Sequence, residues 1–445
     1  MWTTSCLAEF ISSLRAQDVT PVAWKMAKHC LLDLAGAALA GFKTGAATSL
    51  RKAGCGLLGP GLATLWFDGR QFPAPAAAMM NSAAASALDV DDGHRAAGGH
   101  PGASIIPAAL AVAGEVGADA PEVLTAIVVG YEVGVRIAAA RDFTALDTLS
   151  TGRWCAYGAA AAGGFLRQLP PETLAQALAV AGVQAPGLSA AGYSSVMGNH
   201  VKEGIPWSTF GGLFALTLAE QGFTGPTDIL DHPSYYDRER IRDGLGYGFA
   251  IESVYFKRYS CCRWSHSALD ALAAIVEEQQ LEPDSIHKIE VHTFSRALRL
   301  NNAVAPDSLE AAQYSIPFSL AVAAVLGRQA LLPMPSQCLG RPDLVAFARK
   351  VELQVDSDLD RMFPVKAPAR VIVKSGGTQY ERLVVDALGD PANPLSVPAL
   401  QSKFRTLSGG LLSPADQDAM IAAIDHLEQG GYRRLLDLLS TPGTP

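Results

Sequence analysis

The sequence predicts a large all-helical domain made from both chain ends, with a smaller α+β domain inserted into it. Three observations predict it. Apolar residues recur at helical spacing from the first residues to about 250, the period becomes alternating after about 265, and helical spacing returns beyond the turn cluster Gly389-Asp390-Pro391-Ala392-Asn393-Pro394. The expected boundaries are 1–264 with 394–445 for the helical domain and 265–393 for the α+β domain.

In the first half, helices are expected over 21–40, ending at Gly41, and over 75–88, 101–116, 121–140, 153–166, 171–181 and 208–221. Pro101 and Pro121 stand where a first helical turn tolerates proline. These helices are apolar on several faces and rich in alanine, which suits close packing in a bundle. Beyond 265, a helix over 267–278 precedes a half-buried strand over 286–294, where Ile289, Val291 and Thr293 alternate with Lys288, Glu290 and His292. A second strand is expected over 351–355, and a hairpin joins 371–374 to 379–385 through Ser375-Gly376-Gly377. Helices over 314–326 and 343–350 lie between them, and 397–407, 414–429 and 432–439 are helical again before a frayed tail at 440–445.

Composition narrows the function classes. With 445 residues, 49% hydrophobic and 18% charged, the chain has ample material for a core, which excludes global disorder. The net charge of −8 and the lack of a basic run exclude a nucleic-acid partner, so an acidic ligand must meet cations focused in a cleft. Asp33 and Glu132 interrupt the most apolar stretches, so no membrane span is expected. The N-terminus carries Glu9 and no basic cluster, unlike a secretion signal, and seven scattered cysteines read as reduced thiols in a cytoplasmic protein. Gly244-Leu245-Gly246-Tyr247-Gly248 lacks the strand and βαβ unit that a nucleotide loop requires.

Four segments carry chemistry. Asp89-Val90-Asp91-Asp92-Gly93-His94 with His100-Pro101 puts three carboxylates and two imidazoles within twelve residues, beside a helix start whose free N–H groups suit a carboxylate. Such a cluster also reads as a capped, solvated loop. Lys202, in Gly198-Asn199-His200-Val201-Lys202-Glu203-Gly204, becomes a usable base if burial lowers its pKa, or an ordinary lysine if it pairs with Glu203. The stretch from Phe256 to His266 gathers Lys257, Arg258, Arg263 and His266, and reads as a carboxylate-binding set or as an interface salt-bridge cluster. Tyr314 precedes an apolar helix.

In this order, these segments resemble the MmgE/PrpD family over nearly the whole chain. The resemblance runs from Leu32-Asp33-Leu34-Ala35-Gly36 through Asp89 to Asp92, His100-Pro101, Gly130-Tyr131-Glu132-Val133 and Lys202, to Lys257, His266 and Tyr314. It implies a homodimer with its site in a cleft between domains, a small di- or tricarboxylate substrate, and no metal or organic cofactor. Lyases of the family commonly carry a histidine before a Thr/Ser-Gly turn. Here that turn is Ser150-Thr151-Gly152, and Leu149 stands at the counterpart. This departure favours an epimerase acting on iminodisuccinate stereoisomers. The alternatives are a dehydratase or decarboxylase of a substrate such as 2-methylcitrate or cis-aconitate, and a non-catalytic dicarboxylate binder.

The expected roles follow from that reading. Lys202 serves one face of the substrate and His100 or His266 the other, Tyr314 can replace either, and Asp89 or Asp91 orients an imidazole. Arg263, Lys257, His94, Arg153 and the Pro101 helix start bind carboxylates.

Overall fold

The computed structural model describes residues 1–186 and 198–441, so most of the 440–445 tail lies outside the described residues. Helices α1 (Thr3–Ser13), α2 (Pro21–Gly41), α3 (Gly45–Leu57), α4 (Ala74–Ser86), α5 (Gly102–Val116), α6 (Ala120–Ala139), α7 (Cys155–Leu166), α8 (Pro171–Val183), α9 (Ile205–Glu220) and α10 (Arg238–Arg242) form the first body. Short antiparallel pairs, β1 (Ala63–Thr64) with β2 (Gln71–Phe72) and β3 (Gly93–His94) with β4 (Val254–Tyr255), pin its loops. Helices α4 to α7 are alanine- and glycine-rich and bury nearly every position. At Gly130 an added Cβ would lie 2.9 Å from the carbonyl oxygen of Gly158, so α6 and α7 approach backbone to backbone.

The second body carries α11 (His266–Gln279), α12 (Leu309–Gln313), α13 (Ile316–Leu326), α14 (Pro342–Ala348) and α15 (Ser357–Asp360) with one four-stranded sheet. Its strands are β5 (Ile286–Thr293), β6 (Val351–Val355), β7 (Ala369–Ser375) and β8 (Thr378–Val384), in the order β6-β5-β7-β8. Only β5 and β6 run parallel. Ile289 and Val291 of β5 and Val371 and Val373 of β7 are fully buried in one core with Leu269, Leu272 and Phe318.

The helix expected over 314–326 is α13, which starts at Ile316. α12 ends at Gln313, Tyr314 is non-helical, and the Ser315 hydroxyl accepts the Phe318 N–H at 3.1 Å to cap α13. Tyr314 is thereby turned out of the apolar run. The helices α1 and α3 and the short helices α10, α12 and α15 have no counterpart among the expected elements.

Three further helices, α16 (Val397–Ser408), α17 (Pro414–Asp425) and α18 (Gly431–Ser440), share the core of the first body. α16 lies on α2, where Phe404 approaches Gly36. Lys403 is buried between them, 2.5 Å from Asp33 Oδ1, and donates to the Val90 carbonyl at 2.7 Å. α16 therefore braces the 89–94 loop. Among the described residues, no single helix is long and apolar enough to cross a membrane.

Candidate active site

The loop after α4 separates its three carboxylates. Asp89 adopts a left-handed backbone at φ 54°. Asp92 accepts the Gly102 N–H at 3.0 Å and the Tyr131 hydroxyl at 2.6 Å, and burial pushes its carboxyl up to about 7. Asp92 thus fills the α5 start, which corrects the expectation that this helix end receives a substrate carboxylate. Asp91 turns toward His100, whose Nδ1 lies 3.2 Å from Asp91 Oδ2. Asp89 lies 3.5 Å from His100 Nε2.

Lys202 meets this loop from the turn before α9. Lys202, Glu203 and Gly204 have φ values of 44°, 57° and 72°, three consecutive left-handed residues of which two carry side chains. The ammonium donates to Asp89 Oδ1 at 2.8 Å, Gln313 Oε1 at 3.1 Å and the Tyr314 hydroxyl at 3.4 Å. Glu203 does not pair with Lys202. Its carboxylate accepts the Thr151 N–H at 2.9 Å and hydroxyl at 2.8 Å, and the same hydroxyl accepts the His100 N–H at 3.1 Å. A Cβ on Gly152 would lie 2.4 Å from the Glu203 carbonyl oxygen, so only glycine lets the two turns meet.

Lys257, fully buried, donates to Asp89 Oδ2 at 2.9 Å and to its carbonyl at 3.0 Å. Burial pushes the Asp89 carboxyl up, but Lys202, Lys257 and His100 outweigh it and hold it well below the usual carboxylate range. Burial likewise pushes the Lys202 ammonium down, and Asp89, with Glu203 behind it, more than offsets this, so its pKa is raised. This corrects the expectation of a lysine lowered toward neutrality. In His100, burial and Lys257 act downward, yet Asp91 and Asp89 leave the imidazole with a raised pKa. Burial, together with Glu203 and Asp89, keeps the Tyr314 phenol neutral.

These groups open on a cavity of about 320 Å³ between the two bodies. His94, His100, Lys202, Tyr314, Leu149 and Arg263 are in its wall, with Gln313, Asp89, Asp91 and Lys257 behind. Several expected substrate contacts are corrected. His266 is fully buried outside the wall, where its Nδ1 lies 3.1 Å from an Arg263 nitrogen, and burial and Arg263 push its pKa well down. Lys257 reaches Asp89 instead of the cavity. Arg263 reaches the wall but is committed to Asp390 at 3.0 Å and to the carbonyls of Ala387 and Leu388, each at 3.1 Å. That is the interface salt-bridge alternative. Arg153 is exposed and lies outside the wall. His94 is in the wall, its Nε2 is 3.1 Å from the Ala250 carbonyl, and burial pushes its pKa down to about 4.

Asp89, Asp91 and His100 bring ligand-type atoms within 4.8 Å of one another. The ammonium groups of Lys202 and Lys257 already pair with the Asp89 carboxylate and repel a further cation there, while the Asp91 oxygens have no hydrogen-bond partner. Residues not assigned from the sequence also shape the site, namely Gln313, Glu203, Thr151, Asp390 and Lys403. Gln313 was within reach of sequence reasoning as the neighbour of Tyr314.

The MmgE/PrpD N-terminal domain matches residues 5–237 and the MmgE/PrpD C-terminal domain matches residues 259–429. The chain belongs to the MmgE/PrpD family. Among its relatives, a cis-aconitate decarboxylase of Aspergillus terreus is 27% identical over 99% of this chain and 96% of its own length. The proteins of the same name from Mus musculus and Homo sapiens are 26% and 27% identical, covering 96% and 84% of this chain and 90% and 81% of their own lengths. This MmgE/PrpD chain is therefore an enzyme by kinship, and its relatives are lyases by name.

Proposed function

We propose that the chain is a cofactor-independent lyase of a small di- or tricarboxylate, and foremost a decarboxylase. The observation that carries this reading is that Lys202, His100 and Tyr314 converge in the cavity wall beside Asp89 and Asp91 and each is biased toward its protonated form, His94 being the neutral imidazole of the wall. Lys202 and His100 have raised pKa values and Tyr314 is a neutral phenol, so these three groups are suited to giving a proton or to stabilising negative charge. The names of the relatives support the same chemistry.

In this reading a substrate carboxylate rests against the apolar part of the wall, which includes Leu149 and Phe143. There it loses hydration that the departing CO2 does not need. The C–C bond breaks, CO2 leaves, and the electron pair passes into the conjugated acid. The carbon then takes a proton from the Tyr314 hydroxyl or the His100 imidazolium. Tyr314 Oη accepts from Lys202, which leaves its own O–H to point elsewhere and supplies a replacement proton. Water restores the balance. Lys202 and the imidazolium stabilise the developing charge.

Leu149 supports a second reading, epimerisation of iminodisuccinate. It is an apolar residue of the wall, and the family resemblance reads it as the counterpart of the lyase histidine. A homodimer, which the family resemblance implies, belongs to the same proposal.

Proton NMR in D2O separates the readings. With cis-aconitate, a lyase releases CO2 and yields a product deuterated at one carbon. With one iminodisuccinate stereoisomer, an epimerase yields the other isomers, deuterated, with no unsaturated product. Exchange of iminodisuccinate with no turnover of any tri- or dicarboxylate would reject the lyase.

A further inference from the structure

We propose that Arg299 is the distal carboxylate anchor of this cavity and makes the enzyme selective for substrates with a carboxylate remote from the reacting carbon. The proposal rests on the reading of the cavity as a polycarboxylate site. Arg299 ends the turn Ser295–Arg299 and is in the cavity wall.

The other permanent cations of that wall are engaged by the protein. Lys202 is held by Asp89, and Arg95 and Arg263 share Asp390. Arg296 donates to the carbonyls of Phe143, Leu146 and Asp147. Among the described residues, no carboxylate lies within ion-pair distance of Arg299, which is an exposed residue of the cavity wall. It also stands close enough to Arg296 to push that group's pKa down, after the larger effect of burial. The carboxylate of the exposed Asp147, also in the wall, acts on Arg296 in the opposite direction but is in no ion pair with Arg296 or Arg299. Two neighbouring guanidinium groups with one carboxylate, Asp147, beside them leave a local excess of positive charge in a chain of net charge −8.

An anion fits that excess. A guanidinium binds a carboxylate through two parallel N–H donors, and its planar fork makes it selective for that shape. Lys202 and His100 hold the reacting end, so Arg299 takes a second carboxylate at the mouth. A monocarboxylate would leave Arg299 without a partner.

Binding of tricarballylate, a saturated tricarboxylate with no double bond to react, tests the anchor independently of turnover. Isothermal titration of wild type, Arg299→Gln, Arg299→Lys and the control Arg361→Gln is the experiment. Arg361 is exposed, pairs with Asp358 and lies outside the cavity wall. The expected result is a loss of about tenfold or more in Arg299→Gln, a smaller loss in Arg299→Lys and none in Arg361→Gln. A loss below fivefold in Arg299→Gln, an equal loss in Arg361→Gln, or no binding by wild type would overturn the proposal. Failure to turn over any polycarboxylate would sink the lyase reading and leave the titration to judge Arg299.

Discussion

Lys202 and Lys257 each hold a different oxygen of the same buried carboxylate, Lys202 at 2.8 Å from Asp89 Oδ1 and Lys257 at 2.9 Å from Oδ2. Only Lys202 reaches the cavity. The pair divides one chemical resource, with Lys257 fixing the anion and Lys202 presenting its charge to the substrate. Asp89→Asn leaves both ammonium groups buried without a counter-charge. It should cost about 3–5 kcal/mol, measured by urea unfolding, and lower activity with it. A change under 1 kcal/mol would contradict the geometry.

Lys202→Ala should reduce kcat by at least ~100-fold, because it removes both the charge and the proton supply behind Tyr314. Lys257→Met, by contrast, acts through Asp89 and should lower stability together with rate. If Lys202→Ala stays within a few-fold of wild type in steady-state assays, Lys202 has no part in the chemistry.

The pH dependence has a definite sign. His100 is raised above its ordinary 6.5. Its charged form, and the stability that form adds, is therefore fully present below 6.5 and lost as pH rises through the folded value. Activity carried by the imidazolium should fall over the same alkaline interval, and His100→Gln should abolish that limb. Asp89 is shifted the other way, so its contribution is present above the unfolded value and persists until pH falls below the usual carboxylate range. A pH–rate profile unchanged by His100→Gln would remove His100 as the acid.

Gly152→Ala should damage catalysis without unfolding the helical body. The added methyl meets the Glu203 carbonyl at 2.4 Å and must displace the turn that carries Lys202. A cost of about 1–3 kcal/mol in thermal melts and a larger proportional loss in kcat are expected. Unchanged kinetics would show that the turn tolerates the shift.

Lys403→Met should destabilise by about 3–5 kcal/mol, since it strands Asp33 in the core. Burial already pushes the Asp33 carboxyl up to about 6, against the pull of Lys403. Stability from this group is thus highest below its ordinary value and declines as pH rises toward 6, a slope that Asp33→Asn should flatten.

Much of the fold was legible because period is a local property. The alternation of Ile289 and Val291 against charged neighbours identifies β5, and proline-led apolar runs identify α6 and α8. The short helix α12 before Tyr314 was not legible, because its five residues are too few to show a period, and the Ser315 cap sets the start of α13 just past Tyr314. In the site, His100, Lys202 and Tyr314 were legible as residue types and the structure brings them together. Their protonation was not, since it depends on partners remote in sequence. Asp89 lies 113 residues from Lys202. Arg263 and His266 read as ligands because their cationic neighbours are local, while the Asp390 that occupies Arg263 is not.

The brace from Lys403 to Asp33 and Val90 has a consequence for biosynthesis. The ribosome makes the carboxylate loop early and its internal strut more than three hundred residues later. A nascent chain interrupted before α16 would hold every group that meets the cavity, yet lack the cation that anchors the loop from within. The loop therefore gains its internal support only once α16 has been made.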